Sequence, residues 1–201
     1  MSDEPAGASP GAPPRPPRST RTLWLLLAVC VAPIVASYAA FYFWRPAGTV
    51  NYGELLPPQP LSDAPLVLAD GKPFAFERLR GKWLLVSVDR AACDVWCGEK
   101  LIWMRQLRLT QGKEMDRIER VWLVTDGAAV DGAPPVALDG LWLVRAGGAP
   151  VLAQFPPVGA PTDYLYVVDP LGNVMLRYPR GADPNRIKKD LMRLLKVSQI
   201  G

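Results

Sequence analysis

The sequence predicts an α/β domain with a mixed sheet, carried behind one membrane-spanning helix. Three observations point there. Residues 23–44 hold no charged side chain. Compact apolar runs at 83–88, 121–125 and 164–168 are separated by helical periodicity and turn residues, the pattern of layered α/β domains. Two cysteines, Cys93 and Cys97, stand where the first of those strands hands over to a helix.

The bulk composition narrows the class. A chain of 201 residues fits one domain with a substantial core. Its formal charge of +4 comes from 23 cations and 19 anions, well mixed, with no cationic block carrying interleaved aromatics. That pattern argues against a nucleic-acid partner. Three cysteines are too few for a disulfide scaffold, and Cys30 reads as a small residue of the apolar run.

Residues 1–22 are rich in Pro, Ala, Gly and Ser and read as a disordered cytoplasmic tail. Residues 23–44, at ~1.5 Å of rise each, reach about 33 Å, enough to cross a hydrocarbon core of roughly 30 Å. Membrane lipid is thus one expected partner. Tyr38, Phe41, Tyr42, Phe43 and Trp44 crowd one end, as aromatic belts do at a bilayer surface. Pro33 is tolerated inside a span. A cleaved signal peptide would have a shorter apolar region, about 7–15 residues. Arg15, Arg18 and Arg21 precede the span, and Arg45 is the one cation after it before Lys72. The positive-inside rule therefore puts the N-terminus in the cytoplasm. In a Gram-negative bacterium the anchor lies in the inner membrane and the domain faces the oxidising periplasm.

Residues 45–60 read as a linker stiffened by Pro46, Pro57, Pro58 and Pro60, and residues 61–201 as the folded domain. Residues 66–69 and 73–76 form a hairpin about Asp70-Gly71. The central strand, 83–88, is followed by a helix over 95–111, with Gly112 as its stop. Residues 127–150 are rich in Gly, Pro and Ala, with a short strand at 141–144. The strand at 164–168 turns through Asp169-Pro170-Leu171-Gly172-Asn173 into its neighbour at 174–178. Asp183-Pro184 caps a last helix over 185–196, where Ile187, Leu191, Leu194 and Leu195 make the apolar stripe.

The chemistry rests on Cys93-Asp94-Val95-Trp96-Cys97. Two thiols at a helix start can exchange electrons or hold a soft metal. The helix dipole favours a thiolate there; Arg90 adds to the effect and Asp94 opposes it. Cys93, nearer the loop, is the expected attacking thiol, and Cys97, in the first turn, the resolving one. A disulfide closes only if Cys93 lies outside the helix, because the Cα atoms must come within about 7 Å. A purely structural bridge would close too short a loop to stabilise much. Two thiolates also suit Cu(I), whereas Cu(II) wants a nitrogen ligand, and the chain has no histidine. Of Met104, Met115, Met175 and Met192, Met104 shares the cysteine face but lies about 10 Å along the axis and reads as core. Asp89, Asp94 and Glu99 read as capping and surface acids, and Arg105, Arg108, Lys113, Arg117 and Arg120 as a solvated face. Trp83, Trp103, Trp122 and Trp142 read as core, with Trp96 exposed toward a partner.

The element order, with cysteines at the first strand-to-helix junction, resembles the thioredoxin-like fold. More narrowly it resembles the Sco/SenC family, membrane-anchored proteins implicated in assembling the copper centre of cytochrome c oxidase. The likeness rests on the single span, the proline-bearing linker, Leu68, Asp70, Gly71 and Phe74, the Leu79-x-Gly-Lys82-Trp83 wording, and the Cys-x-x-x-Cys spacing. It covers roughly residues 61–197. The resemblance implies a copper site of both cysteines plus a histidine ahead of the Asp-Pro-x-Gly turn. Residues 158–170 contain none. Ala160-Pro161-Thr162 reads there instead like the cis-proline corner of thioredoxins, with Pro161 beside the dithiol docking an extended substrate. Gly98 stands where a proline usually follows the second cysteine, and the Asp-Pro-x-x-Asp stretch is missing after Asp126.

These departures favour thiol–disulfide exchange by Cys93 and Cys97 in oxidase copper-centre assembly. No cofactor is required, and the partner is a copper-receiving or cysteine-containing oxidase subunit. Two other readings stand beside it. One is a copper(I) chaperone with Cys93 and Cys97 as the metal ligands; the other is a non-catalytic assembly scaffold.

Overall fold

The computed structural model describes residues 20–43, 51–156 and 158–198. The chain divides into two compact units, residues 1–49 and 50–201. In the first, helix α1 spans Thr20–Phe43 and is long and apolar enough to cross a membrane. It begins three residues before the uncharged run. The tail expected over residues 1–22 otherwise lies outside the described residues, as does Trp44.

The second unit is built on an eight-stranded sheet. Its elements are β1 (Glu54–Pro60), β2 (Leu66–Leu68), β3 (Pro73–Phe74), β4 (Trp83–Asp89), α2 (Val95–Leu109), β5 (Ile118–Val124), α3 (Pro135–Leu138), β6 (Leu141–Arg145), β7 (Tyr164–Val168), β8 (Asn173–Pro179) and α4 (Pro184–Val197). The strand order is β1-β8-β7-β4-β5-β6-β2-β3. The β4–β5 and β5–β6 pairs are parallel and the others antiparallel, so the sheet is mixed as predicted.

Burial explains the layering. Every residue of β4 is buried, which fits its apolar run and central place. Alternate residues serve opposite faces. Leu85 and Trp122 join Leu101 and Met104 of α2 and Ile187 and Leu191 of α4 in one core. Val86 and Val121 join Phe74, Phe155 and Tyr166 in the other. Asp183 caps α4, its side chain accepting from the Asn185 amide at 2.9 Å.

The linker expectation needs correction over its second half. Residues 54–60 are an edge strand, β1, on β8. Prolines cannot donate to a ladder, so an edge strand accepts them more readily than a central one. Accordingly the register breaks between Leu55 and Gln59, where Pro57 and Pro58 lie. Side chains fasten the strand instead. Arg177 donates from Nη2 to Glu54 Oε1 at 2.7 Å and from Nε to Oε2 at 2.8 Å. Just upstream, the amides of Tyr52 and Gly53 both donate to Asp190 Oδ2 on α4, at 2.7 and 2.9 Å. Arg120, expected on a solvated face, is buried. Its Nη1 donates to the Ala137 carbonyl at 3.1 Å and its Nη2 to that of Asp139, holding the end of α3, an element the Gly/Pro-rich composition concealed.

Candidate functional site

β4 delivers the chain to its C-terminal end in the middle of the sheet, and residues 90–94 carry it into α2. The loop after β5 grips this segment. Ala91 donates its amide to Asp126 Oδ1 at 3.1 Å, and Arg90 Nε reaches Asp126 Oδ2 at 3.2 Å. The Ala91 amide, with help from Arg90, holds the Asp126 carboxyl below its ordinary range. Cys93 donates its amide to the Asp131 carbonyl at 2.9 Å, and Asp131 returns one to Ala91 at 3.0 Å. Gly132 lies so close that a Cβ there would stand 2.6 Å from the Cys93 carbonyl oxygen, and its φ of +72° suits only glycine.

Asp94 is the N-cap of α2, its Oδ1 accepting from the Cys97 amide at 2.8 Å. Cys93 therefore lies before the helix, as a bridge requires. The two sulfurs are bonded, with Cα atoms 5.3 Å apart. Cys97 is 1% exposed and Cys93 half-buried, so an incoming sulfur reaches Cys93 first. Val95, between them, is 79% exposed.

Beside the bridge lies a buried charge pair that the sequence reading missed. Lys100, completely buried, sits 2.8 Å from Asp89 Oδ2 and donates to the Thr162 carbonyl at 2.6 Å. Ser87 Oγ donates to Asp89. Burial pushes the Asp89 carboxyl up and the Lys100 ammonium down, while each charge opposes that shift in the other. Asp89 is thus interior, not a surface acid. One signal pointed to Lys100: it falls three residues after Cys97 and four before Met104, on the apolar face of α2.

Trp96 also differs from expectation. It is 5% exposed, packs edge-to-face on Trp103 at 5.2 Å, and donates Nε1 to the Thr162 carbonyl at 3.0 Å. A buried indole needs such an acceptor, and the loop before β7 supplies it. The peptide before Pro161 is trans, since no described residue has a cis bond. Pro161 opens a short 3-10 turn, Pro161–Asp163, where its fixed φ fits without isomerisation. The turn faces α2, and its Thr162 carbonyl is taken by Trp96 and Lys100. Met104 is fully buried in the core. Among the described residues no group of three or more Cys, Asp or Glu is gathered to hold a metal.

A family model described as transmembrane-like, thioredoxin-like, C-terminal domain matches residues 83–198, more than half the chain. The chain belongs to this family. Solved structures place the transmembrane-like thioredoxin-like domain beside Sco proteins in fold. It superposes on copper-bound ScoI of Arabidopsis thaliana with a TM-score of 0.54 at 15% identity, covering 70% of this chain and 100% of that one. For the SCO1/SenC family lipoprotein of Bacillus anthracis the values are 0.51 and 20%, covering 72% and 98%. For copper-bound yeast Sco1 they are 0.51 and 16%, covering 75% and 96%. The domain therefore has a Sco/SenC-like thioredoxin fold. No curated protein sequence matches the chain.

Proposed function

We propose that this chain is a membrane-anchored thiol–disulfide exchange protein. The observation that carries the reading is the Cys93–Cys97 bridge just past the end of the central strand, with Cys93 half-buried and Cys97 buried in the first turn of a helix. In the reduced form, the Cys93 thiolate attacks a partner disulfide. A bond forms between Cys93 Sγ and one partner sulfur, and the other partner sulfur leaves as a thiolate. Cys97 loses its proton and attacks Cys93 Sγ, restoring the intramolecular bridge and releasing the second partner thiolate. Two electrons pass to the partner, and an external dithiol must recharge the pair. The positive end of the α2 dipole favours the Cys93 thiolate.

The chain's charge asymmetry and its fold relatives support a setting for this activity. Residues 23–44 anchor it in lipid, the arginines before them keep the N-terminus cytoplasmic, and the domain works in an oxidising periplasm. The partner is a cysteine-bearing, copper-receiving subunit of a respiratory oxidase. A second reading has its own support: two thiolates form a donor set that fits Cu(I) in two-coordinate geometry, and Sco proteins of the same fold are solved with copper bound. The donor set does not fit Cu(II), for want of a nitrogen ligand. In that reading Cys93 and Cys97 hold the ion, and copper supplies a soft, transferable cargo.

One experiment separates the two. The full chain, purified in detergent, is equilibrated with glutathione buffers and, once reduced, titrated with Cu(I) and Cu(II). Exchange predicts a reversible two-electron couple that reduces a protein disulfide, with no tight copper binding. Stoichiometric tight Cu(I) binding without turnover on disulfides sinks exchange and establishes the carrier. If serine at both cysteines leaves oxidase assembly in cells intact, both readings fail.

A further inference from the structure

The Asp89–Lys100 pair has no part in the exchange steps above, yet it is placed where those steps occur. Asp89 lies four residues before Cys93 at the end of β4, and Lys100 three residues after Cys97 on α2. The ion pair ties the end of β4 to α2, and the disulfide ties the segment that follows β4 to the same helix. Lys100 is held by both oxygens of Asp89, at 2.9 and 2.8 Å, and by the Thr162 carbonyl at 2.6 Å. Trp96, inside the cysteine motif, shares that carbonyl. Three pieces of chain thus meet at one buried ammonium: the strand end, the helix bearing Cys97, and the turn before β7.

A buried lysine is retained against its desolvation only when its partners are well placed, and removing one partner leaves an uncompensated charge. That makes the pair a stiff link. When the disulfide opens, during reduction or in a mixed disulfide with a partner, the covalent tie between residues 93 and 97 is gone and the ionic tie remains.

We propose that Lys100 is a positioning residue that keeps Cys97 within reach of Cys93 while the bridge is open, raising the effective concentration of Cys97 at the mixed disulfide. The assignment rests on the exchange reading. Orientation of this kind acts on effective concentration, not on the intrinsic reactivity of a thiol. Lys100 touches neither substrate nor sulfur in this role; it sets where the helix stands.

The test uses the full chain in detergent and glutathione as the probe. The double variant Asp89→Asn/Lys100→Met removes the link without stranding a buried charge, and its fold is checked by thermal unfolding. Equilibration with reduced and oxidised glutathione gives the effective concentration of Cys97 toward the Cys93–glutathione disulfide. The expected result is a fall of about tenfold, with the mixed disulfide accumulating, while Cys93 alkylation in a Cys97→Ser background stays within about twofold. An effective concentration within about twofold of the parent, in a folded double variant, overturns the proposal. Should that variant not fold, Asp89→Asn/Lys100→Gln, which puts a neutral hydrogen-bonding pair in place of the ions, is expected to lower the same quantity about two- to threefold. An unchanged value there overturns it as well. Glutathione needs no protein partner, so a parent chain with a high effective concentration but no turnover on protein disulfides would sink the exchange reading and leave the positioning role standing.

Discussion

Two ion pairs, one at the centre of the sheet and one at its rim, do different work. At the rim, Arg177 is buried but Glu54 is 55% exposed, and the pair pins a proline-rich edge strand whose own ladder is broken. At the centre, Lys100 and Asp89 are both out of water, beside a disulfide on a strand that is already secured on both sides. The rim pair substitutes for missing backbone bonds. β4 is paired on both sides besides, and the desolvation of the central pair is offset by its own attraction and by the Thr162 carbonyl. Its position makes the thiol site the candidate beneficiary.

Changes at the centre are expected to have the largest effects. Cys93→Ser should abolish disulfide exchange altogether. Cys97→Ser should instead trap a Cys93–partner adduct visible by mass spectrometry, and equal behaviour of the two variants would remove the ordered roles. Next, Lys100→Met alone should destabilise the domain by about 3–5 kcal/mol, because it leaves Asp89 buried without its cation, with most of that loss recovered by adding Asp89→Asn. Denaturant unfolding of the parent and the two variants reads this directly. At the rim, Glu54→Gln should cost only about 0.5–1 kcal/mol, as for other pairs with a solvated partner. A loss as large as that of Lys100→Met would erase the contrast.

The smallest expected effect is one of pH. The hydrogen bond from Arg177 holds the Glu54 carboxyl below its ordinary value of 4.5. A depressed folded value means the stabilisation is complete above the ordinary value and is lost as pH falls through the folded one. Unfolding midpoints measured downward from pH 4.5 should therefore decline less steeply in Glu54→Gln than in the parent.

Much of the architecture was legible because it is local. Apolar runs marked β4, β5 and β7, and Asp183-Pro184 announced α4. The cysteine site was legible for the same reason: capping by Asp94 and the four-residue spacing are properties of one short segment. What escaped depends on contacts distant in sequence. β1 looks like a linker until Arg177, 123 residues away, is seen to hold Glu54. Trp96 looks free until Thr162, 66 residues away, offers its carbonyl. Asp89 looks like a surface acid until Lys100 arrives on the apolar face of α2. The cis-proline expectation at Pro161 came from resemblance, and the local turn adopts another geometry.

The fastening of Tyr52 and Gly53 to Asp190 has a mechanical consequence. Any pull transmitted along the backbone from residue 51 meets first a single buried carboxylate on α4 that accepts two amide bonds, and then β1 lying against β8. Load is thus taken up at the outer margin of the sheet, three strands removed from β4.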